Sequence, residues 1–295
     1  MVFLKDMVKG MFIGIANIIP GVSGGTIALS MGIYDKLIGA VSNFLKDWKK
    51  SVLTLLPILI GCGIGLIGFT FAIEYLLSEH TFVTCMTFIG LILGGLPVLI
   101  RQLGKKLRAR GGGIGASGIL AFLILFAFAI LLPLMGSDQE VLKTLNPTPG
   151  LILIMFLIGI IASATMVIPG VSGSLVLMIL GYYYGIIESI KSFLEALKAL
   201  DIPALTHGFL ILAPFGIGIL LGIFLIAKLI TFLFEKYGVQ TYCAILGLIL
   251  SSPFAIFYNT GLFGQLHQLN LKLILSGILL AIVGAAVTYF LGEKE

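Results

Sequence analysis

The chain contains several stretches of about 20 residues without a charged side chain, and residues 116–134 form one of them. A helix of that length crosses a hydrocarbon core about 30 Å thick. Charged residues make up only 11% of the 295 residues, against about 25% in a typical soluble domain. Too little polar surface is therefore available to cover a globule in water. The sequence predicts an all-α polytopic membrane protein located in the cytoplasmic membrane.

A repeated motif divides the chain in two. Residues 18–25 are Ile-Ile-Pro-Gly-Val-Ser-Gly-Gly, and residues 167–174 are Val-Ile-Pro-Gly-Val-Ser-Gly-Ser, at an offset of 149 positions. The similarity continues beyond the motif, and the offset later becomes 157 positions. The matched pairs include Gly32 with Gly181, Tyr34 with Tyr183, Pro57 with Pro214 and Gly90 with Gly247. We therefore predict two related halves, 1–140 and 141–295.

Each half is expected to contain three uninterrupted spans and one interrupted segment. The interrupted segments, 10–34 and 150–187, are broken at Pro-Gly-Val-Ser-Gly, because proline removes a backbone donor and glycine is a poor helix former. Such a segment either crosses the membrane as a broken helix or enters and leaves on one side as a re-entrant hairpin. The uninterrupted spans are predicted at 52–77, 82–100, 116–134, 207–233, 239–258 and 273–291.

Loop charge favours the hairpin arrangement. Re-entrant hairpins place 14 of the 18 lysines and arginines on one side of the membrane, whereas broken crossing helices place at best 12 there. Since basic loops are typical of the cytoplasmic side, this arrangement predicts that both termini are cytoplasmic. Three crossings in each half then give two inverted repeats, each a re-entrant helical hairpin plus three transmembrane helices. Transporters of this design bind substrate at the midplane between the repeats.

The two interrupted segments also carry the residues expected to bind a ligand. Ser23 and Ser172 lie at predicted helix N-caps, where the first turn has free backbone N–H groups. Glycines leave that backbone accessible and hydroxyls add donors, so we expect an anion such as a phosphate or carboxylate. The alternative is that the breaks only let helices kink and pack closely. The candidate substrate-binding residues are Asn17, Ser23, Gly24, Gly25, Thr26, Ser172, Gly173 and Ser174.

Two ionisable residues lie within predicted spans. Glu74 and Lys228 are therefore candidates for a charge or proton role, although each is also placed to extend towards the membrane interface. The basic cluster at 101–110 is expected to set the topology and to contact anionic membrane lipids. Small residues at Gly61, Gly65, Gly218 and Gly222 are expected to bring helices close together.

Other classes of ligand have no support in the sequence. The three cysteines and three histidines show no spacing typical of a metal site, and no cofactor motif is present. The basic residues cluster in short loops beside the spans, which indicates membrane topology and not nucleic-acid binding. Assembly into a homo-oligomer is left open.

The motifs resemble those of the polyprenyl-phosphate transporter family. Asn17, the run from Pro20 to Thr26, Gly32 and Tyr34 are similar to its first motif, and the run from Pro169 to Ser174 is similar to its second. The resemblance covers nearly the whole chain. It implies a flippase that returns undecaprenyl phosphate, a polyprenyl phosphate lipid, from the outer to the inner leaflet. The inverted repeats predict that this transport proceeds by alternating access. The paired loops would then hold the phosphate head group.

Two other functions compete with this interpretation. Undecaprenyl pyrophosphate phosphatases also use repeated Pro-Gly-x-Ser loops, but there an arginine follows the serine, where this chain has Gly24 and Gly173. No glutamate or histidine lies beside the loops to support phosphoryl chemistry, so we predict that the protein is not an enzyme. A channel or exchanger for a small anion is the other alternative, because helix ends at broken spans also select inorganic ions.

Overall fold

The structure is a computed structural model that describes residues 2–19, 22–135 and 145–291. In these ranges the secondary structure is helical, without a strand. The helices are α1 (Val2–Ala16), α2 (Gly24–Ser30), α3 (Tyr34–Ser42), α4 (Trp48–Glu79), α5 (Thr81–Leu93), α6 (Leu96–Arg110), α7 (Gly115–Leu134), α8 (Pro149–Val167), α9 (Gly173–Ile179), α10 (Tyr183–Ala199), α11 (Ile202–Lys236), α12 (Gly238–Asn259), α13 (Leu262–Gln265) and α14 (Leu271–Leu291), with a 3-10 turn at Leu266–Gln268.

Seven helical stretches in the described part of the chain are long and apolar enough to cross a membrane. They are Trp48–Thr70, Thr81–Arg110, Gly115–Leu134, Pro149–Val167, Ile202–Lys236, Gly238–Asn259 and Leu271–Leu291. Six of them coincide with the uninterrupted spans predicted from sequence, which confirms an all-helical, multi-pass membrane protein. The seventh, α8, fills the first half of the predicted segment 150–187. Re-entrant and inverted arrangements remain predictions for both interrupted segments.

Each interrupted segment contains two breaks where the sequence predicted one. The first break follows the ends of α1 and α8, at Ala16 and Val167, and α2 and α9 begin directly after the Pro-Gly-Val-Ser sequence, at Gly24 and Gly173. The second break follows one short helix later, at Gly32 and Gly181, which have φ values of 67° and 80°. Only glycine readily adopts this left-handed conformation, so the chain turns there. In the second segment the turn bends α9 against α10 by 107°.

The described helices also extend beyond the predicted boundaries. Helix α1 begins at Val2 and not near residue 10, and α10 continues to Ala199 and not to 187. Charged residues such as Lys5 and Lys191 end the apolar runs in these places, but they do not end the helices. The apolar pattern therefore located the breaks better than the outer ends of the segments.

The chain folds as two compact units. Unit 1 contains residues 1–133, 168–171 and 227–295, and unit 2 contains residues 134–167 and 172–226. Unit 2 has a small core formed by Leu145, Met155, Ile158, Ile186 and Ile211. Unit 1 contains both the first motif and the Ile168–Val171 part of the second. The two repeats at 1–140 and 141–295 are defined by sequence similarity, so that division stays a prediction.

Glycines hold α1 against α4 in unit 1. A β-carbon on Gly61 would overlap the backbone carbonyl of Met7, and one on Gly65 would overlap that of Met11. The same spacing recurs in unit 2, where a β-carbon on Gly218 would overlap the carbonyl of Phe156. The expectation that these glycines bring helices into close contact is therefore confirmed.

We expect the Gly61→Leu substitution to lower the unfolding midpoint of the detergent-purified protein by several degrees, because overpacking a tight contact costs about 1–3 kcal/mol. Gly63→Leu is the matched control, since a β-carbon on Gly63 has open space around it on the same helix. A thermal melt of both variants measures the difference. Equal midpoints for the two variants would contradict the close approach of α1 and α4.

Candidate functional site

The first loop places two hydroxyls at the start of α2, inside unit 1. Ser23 has an extended backbone, with φ −98° and ψ 131°, and α2 begins at the next residue. Thr26 follows one turn later, and Ser23 and Thr26 are only 5% and 1% exposed. The predicted N-cap position of Ser23 is confirmed, but its side chain makes no capping hydrogen bond.

Asn17 supports the backbone of this loop. Its Oδ1 accepts a hydrogen bond from the N–H of Gly24 at 3.2 Å, which links the end of α1 to the start of α2. A β-carbon on Gly24 would come within 2.7 Å of that oxygen, so glycine is the residue that fits here. Asn17 therefore satisfies one of the N–H groups that a helix start leaves without a partner.

The two motifs meet in unit 1 through one hydrogen bond. The N–H of Gly170 donates to the Thr26 Oγ1 at 2.6 Å, across a separation of 144 residues. Gly170 has a φ of 82°, and a β-carbon there would lie 2.7 Å from the Leu248 Cβ and 2.8 Å from the Leu248 carbonyl oxygen. The second motif thus needs glycine at this position for both its conformation and its contact with α12.

Both hydroxyls of the first loop keep a proton to donate. Among the described residues, the Ser23 Oγ has no hydrogen-bond partner. The Thr26 hydroxyl accepts from Gly170, and no described residue accepts its proton. A buried hydroxyl without a partner costs about 1–3 kcal/mol, so native proteins rarely keep one without a reason. A water or a ligand anion would satisfy both donors.

The second loop has different side chains. Ser172 and Ser174 hydrogen-bond to each other through their hydroxyls at 3.0 Å, and Ser174 is exposed. A β-carbon on Gly173 would meet Met166 and Thr165, at 3.1 and 3.2 Å. At the offset of the repeat, Met166 stands where the first copy has Asn17, and Leu175 stands where it has Thr26. The second copy therefore keeps the break but not the buried polar contacts.

The other predicted candidates lie apart from the two motifs along the chain. Lys228 is exposed on α11. The backbone of Glu74 lies in α4, but its side chain falls outside the described residues, as do the Pro20 and Gly21 positions of the first motif. Of the predicted set, Asn17, Ser23, Gly24, Gly25 and Thr26 lie together in unit 1, while Ser172, Gly173 and Ser174 belong to unit 2.

Two serines that were not predicted from the sequence lie beside the motif contact. Ser251 and Ser252 in α12 are 1% and 3% exposed, and both hydroxyls donate to the Leu248 carbonyl, at 2.7 and 3.1 Å. This is the carbonyl against which Gly170 packs. The signal in the sequence is a Ser-Ser-Pro run within an apolar span. The two serines occupy the positions of Gly94 and Gly95 in the first repeat.

The end of α2 is fixed in a similar way. The Ser30 hydroxyl donates to the Ile92 carbonyl of α5 at 3.0 Å, and a β-carbon on Gly95 would overlap Ser30. Helix α2 is therefore held at its start by Asn17 and Thr26 and at its end by Ser30. A short helix fixed at both ends keeps its hydroxyls in place without help from a ligand.

Comparison with known proteins gives the chain a family. Residues 13–268, which include both motifs, match the family described as undecaprenyl phosphate translocase-like. A polyprenyl-phosphate transporter of Staphylococcus aureus is 30% identical over 254 residues, covering 85% of each chain. A polyprenyl-phosphate transporter of Vibrio cholerae is 29% identical over 264 residues, covering 85% of this chain and 76% of the relative. No solved structure matches this chain. The family match spans most of the sequence and agrees with the resemblance seen in the two motifs, and the chain therefore belongs to the undecaprenyl phosphate translocase-like family.

Proposed function

We propose that this protein transports polyprenyl phosphate across the cytoplasmic membrane. Its family and the names of two relatives, both polyprenyl-phosphate transporters, support the substrate class. The observation that carries the proposal is the pair of buried hydroxyl donors, Ser23 and Thr26, at the place where the two motifs meet. These donors suit a phosphate oxygen, because a charged acceptor forms a stronger hydrogen bond than a neutral one.

Only the phosphate head group of the lipid needs contacts with the protein in order to cross the membrane. A phosphate carries a charge that is very costly to bury in hydrocarbon without partners, whereas the apolar polyprenyl tail is stable among lipid chains. A transporter therefore needs to offer polar contacts along the route of the phosphate alone. Hydroxyls and backbone N–H groups provide such contacts without placing a full positive charge at membrane depth, where it would itself be costly.

The proposed binding residues are Ser23, Thr26, Gly24 and Gly25, with Asn17 holding the loop in shape. The N–H of Gly25 has no partner among the described residues and adds a third donor at the start of α2. Ser172, Gly173 and Ser174 follow Gly170 within two to four positions, and they join the proposed site on the ground of sequence.

The mechanism we propose is alternating access by two inverted repeats, each with a re-entrant hairpin. The supporting observations are the duplicated Pro-Gly-Val-Ser-Gly break and the 14 of 18 basic residues that this topology puts on one side. With both termini in the cytoplasm, the head group would enter from the outer leaflet and leave towards the inner leaflet. Glu74 and Lys228 stay candidates for a charge or proton role in this cycle.

A vesicle assay tests the proposed function. The purified protein is reconstituted into liposomes with a fluorescent short-chain polyprenyl phosphate, and a quencher that cannot cross the membrane reports the outer-leaflet fraction. We expect the protein to speed the exchange of this lipid between leaflets, and not that of the matching polyprenol, which has no phosphate. Flux of chloride or phosphate with no exchange of the lipid would contradict the proposal and favour a small-anion channel or exchanger.

A further inference from the structure

A polar hollow lies in unit 1 beside the turn that ends α2. Its volume is about 170 Å³, which is room for a group of about five non-hydrogen atoms at about 30 Å³ for each water-sized unit. The residues that matter for its chemistry are Gly32, Asp35, Lys36, Arg101, Gln102 and Lys105. Three cations stand against two carboxylates, Asp35 in the lining and Asp6 paired with Lys36, so the hollow keeps a net positive charge and favours an anion.

Two of the three cations of this hollow are available for a ligand, and the third is fixed by an ion pair. Arg101 and Lys105 have no hydrogen-bond or ion-pair partner among the described residues. Lys36 is held by Asp6 at 2.5 Å, with side chains 34% and 5% exposed, so its ammonium group is fixed in place and still partly accessible. An arginine guanidinium can donate parallel hydrogen bonds to two oxygens of a phosphate, which a lysine cannot do.

A neutral donor is also positioned there. The Tyr242 hydroxyl of α12 donates to the Gln102 Oε1, so the NH2 group of Gln102 is left as the donor available to the hollow. Lys36 and Gln102 are thus each fixed by a buried residue of another helix, Asp6 in α1 and Tyr242 in α12. Such pre-organisation lowers the entropy cost of binding an anion.

The repeat provides an internal comparison. At the offsets of 149 and 157 positions, Asp35 and Lys36 correspond to Tyr184 and Gly185, while Arg101 and Lys105 correspond to Tyr258 and Leu262. The glycine turn is kept in both copies, but the charges occur in the first copy alone. A purely structural role in the turn would not need them, because the second copy forms its turn without them.

We propose that this hollow is a second phosphate-monoester site, at the far end of α2 from Ser23 and Thr26. Helix α2 has seven residues and is therefore about 10 Å long, so the two sites are one short helix apart. The inference deepens the proposed function, and it rests on that function for the identity of the cargo. A head group leaving the hydroxyl donors meets Lys36, Arg101 and Lys105 next, at the basic side of the membrane.

The test uses the full chain in a neutral detergent, with inorganic phosphate and farnesyl phosphate as probes and calorimetry as the readout. We expect Arg101→Gln to weaken binding of the probes about tenfold, as loss of a charge-assisted hydrogen bond does. Arg108→Gln removes the same charge from the exposed surface of the same helix, outside the hollow, and should change affinity by less than about twofold. Arg101→Lys should give an intermediate affinity.

The two probes identify the source of the phosphate. Farnesyl phosphate bound at least tenfold more tightly than inorganic phosphate would indicate a lipid head group, and equal affinities would indicate that the phosphate alone is recognised. No binding of either probe, or equal weakening by Arg101→Gln and Arg108→Gln, would overturn the site. The vesicle assay tests the proposed transport function independently of this binding site. Lipid exchange without Arg101-dependent binding of phosphate would contradict the phosphate site in the hollow alone. Arg101-dependent binding of phosphate without lipid exchange would contradict the proposed transport function.

Discussion

The Thr26→Val substitution is expected to lower exchange of polyprenyl phosphate at least about tenfold, the effect of losing a charge-assisted hydrogen bond at a binding step. Valine keeps the branched shape of threonine but has no hydroxyl. It therefore removes both the proton available to a ligand and the acceptor that holds the Gly170 N–H at 2.6 Å. Lipid exchange in proteoliposomes measures the loss.

Two variants separate this effect from a general loss of stability. Thr26→Ser keeps the hydroxyl and should restore most of the exchange rate. Thr288→Val makes the same change at a fully buried threonine of α14, whose hydroxyl has no partner among the described residues, and it should leave exchange unchanged. Exchange at the wild-type rate by a well-folded Thr26→Val protein would contradict a role for this hydroxyl in transport.

The Gly170→Ala substitution is expected to reduce both stability and lipid exchange strongly. Alanine at a φ of 82° costs roughly 1–2 kcal/mol, because its β-carbon crowds the backbone in the left-handed region. At Gly170 that carbon would also press on Leu248, at 2.7 Å from its Cβ. The loop must then shift, and the N–H that bonds to Thr26 shifts with it. Thermal melts and the vesicle assay measure the two losses.

Gly111→Ala is the matched control for the conformational cost of alanine at a positive φ. Gly111 has a φ of 67°, but a β-carbon there would have nothing within 4 Å, so its substitution carries the conformational cost alone. The excess loss in Gly170→Ala measures the contact with Leu248. The Thr26→Val and Gly170→Ala effects on exchange should be less than additive, because they break the same hydrogen bond. Equal effects of Gly170→Ala and Gly111→Ala would contradict a special role for the motif contact.

Hydropathy and the special chemistry of proline and glycine predicted much of this fold. The six uninterrupted spans and the starts of α2 and α9 follow from local sequence, because a membrane span needs a continuous apolar run and Pro-Gly stops a helix. The second break in each segment was missed, since a single glycine within an apolar run indicates a left-handed turn only weakly. The outer helix ends were missed because charged residues end apolar runs without ending helices.

The site was predicted less completely, because its contacts join distant parts of the chain. Asn17, Ser23 and Thr26 were identified from the motif, but no local pattern predicts that Thr26 bonds to a residue 144 positions away. The basic hollow was missed for the same reason, since Lys36 and Arg101 come together only when α6 packs beside the turn after α2. Such pairings follow from tertiary packing and not from the sequence around either residue.

The differences between the two motif copies refine the expected roles of the loops. The first copy has the amide of Asn17 and the hydroxyl of Thr26, where the second has Met166 and Leu175. Ser23 and Thr26 of the first loop are also buried, while Ser174 of the second is exposed. We therefore expect the first loop to provide most of the contacts to the phosphate and the second to provide backbone and serine donors.

We propose that the protein moves polyprenyl phosphate by means of the two Ser-containing loops. The most direct measurement is the amount of undecaprenyl phosphate on the outer leaflet of cells that lack this protein and any redundant flippase, using a probe that binds the head group. We predict that the lipid accumulates outside, that the wild-type protein removes it, and that the Ser23→Leu/Ser172→Leu variant does not. No accumulation would contradict the transport of this lipid, and full correction by the variant would contradict the loop site.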